Sequence, residues 1–149
     1  MKTLYSKIPL FLAASITAVM FLQVYSGSRN ESLTWDEPSF ISAGYSYLTT
    51  RQFVLNPSHP PLTQELIAFP LLFLNVHRPP GKPTDWLVKV NPVAEYGRDL
   101  IYEMNNNPFG ITFWARLTPH ILGSALVLIA FFWGKKLVGP WAALIASIL

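Results

Sequence analysis

Cysteine is absent from the chain. That excludes a disulfide framework, a thiolate nucleophile and any Cys-based metal site. Charge is scarce as well: 13% of residues are charged, against about 25% in ordinary globular chains. Acidic residues are missing from both ends, since all eight fall between Glu31 and Glu103. No internal repeat and no low-complexity tract is present. What remains is an apolar chain, 51% hydrophobic over 149 residues, and that composition reads as a membrane protein rather than a soluble domain. The net charge of +3 is unevenly spread, with Lys2, Lys7, Lys135 and Lys136 lying outside the acidic region. No nucleic-acid partner is expected.

The first apolar run covers residues 8–25 (IPLFLAASITAVMFLQVY) and carries no charge over its 18 residues. As a helix it reaches roughly 27 Å, enough to cross a bilayer core. Pro9 falls in the first turn, where a missing N–H costs nothing. A signal peptide is the alternative, with Lys2 and Lys7 as its basic region and SGS at 26–28 as a cleavage site, although the run is long for one. The second run covers 117–133 (LTPHILGSALVLIAFFW), with Arg116 at its start and Lys135-Lys136 past its end. Small residues at 123–125 could seat a neighbouring helix. A third run, 137–149, has 13 residues and reaches about 20 Å, too short to cross alone. Gly134-Lys135-Lys136 and Gly139-Pro140 read as a tight turn before it. The expected fold class is therefore an α-helical polytopic membrane protein, truncated, with two full transmembrane helices and the start of a third span.

The lysines flanking both runs place both ends in the cytoplasm by the positive-inside rule. Residues 26–115 then form one external loop of 90 residues. The loop shows no regular core pattern. Residues 36–50 (DEPSFISAGYSYLTT) repeat apolar side chains at helical spacing. Residues 62–76 (LTQELIAFPLLFLNV) are apolar around one glutamate and broken by Pro70. They suit a short helix lying in the membrane interface, or equally a buried helix of a loop domain. Residues 86–104 hold a short helix with Glu95, Asp99 and Glu103 at i+4 spacing, the pattern of a solvated face. NNNPFG at 105–110 reads as a turn before the second span. Asn30-Glu31-Ser32 matches a glycosylation sequon, a motif too common to carry weight.

Two stretches carry chemistry-bearing residues. TWDEP, 34–38, sets Asp36 beside Glu37. Thr34-x-x-Glu37 matches a capping box, and Pro38 suits a first helical turn, so helix capping accounts for the motif without any chemistry. Consecutive helix residues point about 100° apart, so one acid can cap while the other faces outward. A carboxylate at the positive end of a helix suits a base better than an acid. NPSHPPL, 56–62, holds His59 in an extended conformation ahead of two prolines. A rigid loop presenting an imidazole suits a phosphate or metal contact. A plain solvated histidine is the alternative.

The order of these pieces is a membrane span, WDEP, AGYSYL, LNPSHPPL, FPLLFLN, then Ala115-Arg116 before the next span. It resembles the N-terminal part of membrane glycosyltransferases of family 39 type, which have the GT-C fold. Protein O-mannosyltransferases and the bacterial aminoarabinose transferases of lipid A belong to that superfamily. The resemblance covers nearly the whole chain and looks closest to bacterial lipid-carrier-dependent members. It implies many spans, an active site at the external face of a bacterial inner membrane, and a polyprenyl-phosphate-linked sugar donor. The acceptor would be a glycan, lipid or protein hydroxyl. Asp36 matches the family's catalytic base, with Glu37 beside it in support. His59 and Arg116 match positions that would meet the donor phosphate. No metal ligand is assigned, and a divalent-metal requirement stays open. The aminoarabinose branch carries Lys in place of His59 and Arg in place of Ser39, and this chain has a longer insertion between HPPL and AR. Sugar and acceptor therefore stay unassigned. A non-enzymatic membrane protein that uses the loop for contacts is the competing reading. A transporter is less consistent, because the runs carry no ionisable residue at their centres.

Overall fold

The computed structural model describes residues 7–29 and 31–148. Lys2, used above for topology, and Asn30 of the sequon lie outside the described residues. Among those described, regular structure is entirely helical. The chain divides into two compact units, residues 28–118 and residues 1–27 with 119–149.

The second of these contains the long apolar helices. Helix α1 runs Ile8–Ser28, three residues past the expected run. Helix α5 runs Pro108–Val138, and α6 runs Pro140–Ile148. Two of these, α1 and α5, are long and apolar enough to cross a membrane. The helix that carries the second apolar run is longer than the run. Apolarity begins at Leu117, but the helix begins nine residues earlier, because Asn107 Oδ1 accepts from Gly110 N at 3.1 Å and Pro108 occupies the first turn. A side-chain cap followed by proline is a helix start, so NNNPFG opens a helix where a loop turn was expected. Lys135 and Lys136 also lie inside α5, and only Gly139, at φ +91°, breaks the chain before α6. The unit boundary falls between Thr118 and Pro119, where the proline removes one N–H from the ladder of α5. Ala13, Phe131, Ala143 and Leu144 form the small buried cluster of this unit.

Residues 28–118 fold around a central helix, α2 (Glu37–Thr50). Its residues 41–47 are all buried, so it is covered on every side. Helix α3 (Pro61–Ala68) continues into a 3-10 turn at Phe69–Phe73. A second 3-10 turn, Pro83–Val88, leads to α4 (Pro92–Arg98), which widens into a π-helical turn at Asp99–Glu103. All of these pack on or beside α2. Ile41, Tyr47, Leu55, Leu71, Leu100, Ile101 and Ile111 are among the core residues. The sequence shows no regular core pattern here, yet these residues do form a core. That core is assembled from α2, α3, the 3-10 turn at Phe69–Phe73, α4, the π-helical turn and the start of α5, so no single period runs through its sequence.

The crossing of α2 and α3 is close because Gly44 has no side chain. A Cβ there would overlap the backbone carbonyl of Gln64 and approach Ala68 Cβ to 3.0 Å. Backbone cannot yield as a flexible side chain does. Gly44→Ala is expected to destabilise this unit by roughly 1–3 kcal/mol. Chemical denaturation in detergent, followed by Tyr and Trp fluorescence, measures it, and an unchanged midpoint would show that the helices separate freely.

The two faces of the stretch 61–73 differ. Gln64, Ala68 and Leu71 are buried against the core. Leu62, Leu66, Phe69 and Phe73 occupy the opposite face at i, i+4, i+7 and i+11 and are exposed, Phe73 by 76%. A helix with one apolar face in a core and a second one uncovered is a core helix with an unpartnered lipid-compatible surface.

Candidate functional site

Helix α2 begins at Glu37, with Asp36 as its N-cap residue. The capping box read from the sequence forms only in part. Thr34 N donates to Glu37 Oε2 at 2.7 Å, which is the return half of the box. The start of the helix falls at Glu37 rather than just after Thr34, so Thr34 is not the cap. Glu37 instead has a second task. Arg116, from the third turn of α5, grips it in a two-pronged ion pair: Nε to Oε1 at 2.7 Å and Nη2 to Oε2 at 2.7 Å. Arg116 also donates to the carbonyls of Ser32 at 2.9 Å and Glu31 at 3.3 Å. Four of the five N–H groups of a guanidinium are thereby engaged, and Arg116 is 9% exposed. Burial opposes ionisation of Glu37, but the hydrogen bonds from Arg116 and Thr34 outweigh it and hold its carboxyl below the usual value. This is the charge-assisted, forked geometry in which arginine binds carboxylates most strongly.

Asp36 is placed differently. It is exposed, and its side chain makes no capping hydrogen bond. Its backbone carbonyl accepts from Ser39 N and Phe40 N, which fixes the first turn without using the carboxylate. The two neighbouring acids are thus separated as helix geometry requires, one locked to Arg116 and one facing outward. Trp35, between Thr34 and Asp36, is 94% exposed.

His59 reaches the same end of α2 from the loop that follows it. Its ring packs edge-on against Phe40, with centroids 4.9 Å apart and planes at 64°. Phe40 stands one helical turn beyond Asp36, so the two share a helix face. His59 Nδ1 lies 3.3 Å from Asn56 Oδ1. With Nδ1 protonated it donates to Asn56, and Nε2 is then the acceptor end of the ring. Asn56 is itself held, since its N–H donates to the buried Tyr47 hydroxyl at 2.8 Å. Among the described residues, no cluster of three or more His, Asp and Glu side chains could hold a metal ion.

The structure thus packs His59 on Phe40, one helical turn beyond Asp36, and turns Glu37 and Arg116 toward each other. Phe40, Asn56 and Tyr47 belong to this arrangement and were missed from the sequence. Phe40 could have been found from its i+4 relation to Asp36, whereas the Tyr47–Asn56 bond has no local signature. No family model, no curated protein and no solved structure matches the chain.

Proposed function

We propose that this chain serves a membrane glycosyltransferase of the GT-C type that takes a sugar from a polyprenyl-phosphate donor at the external membrane face. The observation that carries the reading is the division of labour between two adjacent acids. Glu37 completes the fold, and the Asp36 carboxylate is exposed at the positive end of α2 with no capping hydrogen bond. A carboxylate without a capping bond, one helical turn from the ring on which a rigidly presented imidazole packs, makes with it a reactive pair in search of a substrate.

In this reading Asp36 takes the proton from an acceptor hydroxyl as its oxygen attacks the anomeric carbon. The bond from that carbon to the phosphate oxygen breaks, and the polyprenyl phosphate leaves with the electron pair. His59 contacts the leaving phosphate through its imidazole and stabilises the charge that develops there. Arg116 is committed to Glu37, so its part is to hold the start of α2 in place, and a direct phosphate contact would require it to change partners. The unit lies in the chain between two helices able to cross a bilayer, and its uncovered apolar row at 62–73 suits the interface where a lipid-anchored phosphate resides. In the same reading the lysines at 135–136 face the cytoplasm and residues 28–118 the external side of a bacterial inner membrane.

The purified chain in detergent is expected to bind farnesyl phosphate and not farnesol, read by phosphorus NMR titration. His59→Ala is expected to weaken that binding about tenfold, as loss of one charge-assisted hydrogen bond does. Equal affinity for the phosphate and the alcohol would rule out a lipid-phosphate site.

A further inference from the structure

We infer that Gln64 is the positioning residue of this site: its buried amide clasps the turn that presents His59. The inference rests on the proposed role of His59 and extends it to a residue that no motif marks.

The turn 56–61 is poor in backbone donors. Pro57, Pro60 and Pro61 have no N–H, so three of its six residues can give no main-chain hydrogen bond. Asn56 is buried and its carbonyl needs a donor, because buried acceptors are nearly always paired, whereas residues 57–61 are exposed. Asn56 O receives one from His59 N, at a long 3.4 Å. Gln64 provides what the prolines removed. Its Nε2 lies 3.1 Å from His59 O, 3.5 Å from Asn56 O and 3.5 Å from Pro60 O. One amide group thus spans both ends of the turn and the histidine between them.

Gln64 is suited to this by where its backbone sits. It is fully buried, 0% exposed, on the same face of α3 as Ala68 and Leu71. Its own carbonyl lies against Gly44 of α2. The side chain therefore reaches the turn from a point that the closest helix crossing in the unit holds still. The orientation of the amide is also determined. Reversing it would set Oε1 against three carbonyl oxygens. In the observed orientation Oε1 is buried with no hydrogen-bond partner. A leucine or methionine would fill the same space without that unpaired acceptor. A glutamine in this core position makes sense through its donors, and those donors all go to the turn that carries His59.

The test uses the full chain in detergent micelles and needs no mutation for its first part. The side-chain amide protons of Gln64 are expected to exchange with solvent at least a hundredfold more slowly than glutamine side-chain amides in a denatured control of the same chain. Exchange at the denatured rate would overturn the clasp. In the second part, Gln64→Met keeps the volume and removes the donors. It is expected to leave the melting midpoint and the Tyr47 core signals in place. The cross-peak between the His59 and Phe40 rings should disappear, and farnesyl phosphate affinity should fall at least fivefold. A variant that keeps both the cross-peak and the affinity would overturn the inference. If the variant does not fold, the amide exchange of the unmodified chain decides alone. If the unmodified chain does not bind farnesyl phosphate, the lipid-phosphate reading fails, while slow amide exchange and a lost cross-peak would still establish the clasp.

Discussion

Under the proposed glycosyltransferase function, Asp36→Asn is expected to lower sugar transfer about a hundred- to ten-thousand-fold, the range that loss of a positioned general base produces. Asparagine has nearly the same shape but cannot take up the proton of the acceptor hydroxyl. The fold is expected to be unaffected, within about 0.5 kcal/mol, for two reasons. Asparagine is as good an N-cap residue as aspartate, and the Asp36 side chain makes no capping bond that could be lost. The measurement is release of free polyprenyl phosphate from a polyprenyl-phosphate-linked sugar in proteoliposomes, paired with a thermal melt. Unchanged release would remove Asp36 from the mechanism. A collapse of release together with the melting temperature would reassign it to the fold. Glu37→Gln is the contrasting variant, because it should lower stability and activity together.

Arg116→Met is expected to cost residues 28–118 about 3 kcal/mol of stability, in the range found when one partner of a buried ion pair is removed. The guanidinium is buried while the Glu37 side chain keeps 28% of its exposure, so the lower end of that range applies. Methionine retains much of the packing but removes the donor to the Ser32 and Glu31 carbonyls and leaves the Glu37 carboxylate with Thr34 N but no counter-charge. The same pair makes stability depend on pH. Glu37 has a depressed carboxyl pKa in the folded chain relative to its ordinary 4.5. Its contribution is therefore fully present above about pH 4.5 and is lost as the pH falls through the lower folded value, while Arg116 stays charged. Unfolding midpoints measured between pH 7 and pH 3 should fall in the unmodified chain. The fall should be smaller in Glu37→Gln, and parallel curves would show that the pair contributes nothing.

Much of the helical layout could be read directly. The uncharged run at 8–25 announces α1, and the spacing of Phe40, Gly44 and Leu48 announces α2. The start of α5 was also signalled, by Asn107 and Pro108, but apolarity dominated the reading and its polar opening turns were taken for loop. The core of 28–118 was harder, because 3-10 and π turns interrupt every period that a helix would impose. At the candidate site, the separation of Asp36 from Glu37 follows from helix geometry alone. The partner of Glu37 does not, since it lies 79 residues away and an isolated Arg before an apolar run reads equally well as an interface anchor. Gln64 was invisible for a related reason: between Thr63 and Glu65 it looks like part of an exposed polar turn until its neighbours on the buried face are known.

The distance along the chain between Glu37 and Arg116 also sets an order of events during synthesis. Helices α2, α3 and α4 are complete once Arg98 has left the ribosome, and they can pack by short-range contacts. The two-pronged bond that fixes the start of α2 must wait for residue 116, which arrives on the helix that continues into the second apolar stretch. Until then Glu37 has no counter-charge and the segment before it, at Glu31 and Ser32, has no donor to hold it. The unit should therefore be protease-sensitive near residues 31–37 in nascent chains arrested before residue 116, and resistant in chains arrested well after it. Its last step of folding is tied to delivery of the neighbouring span, so a nascent chain that fails to insert there would leave the carboxylate end of α2 open.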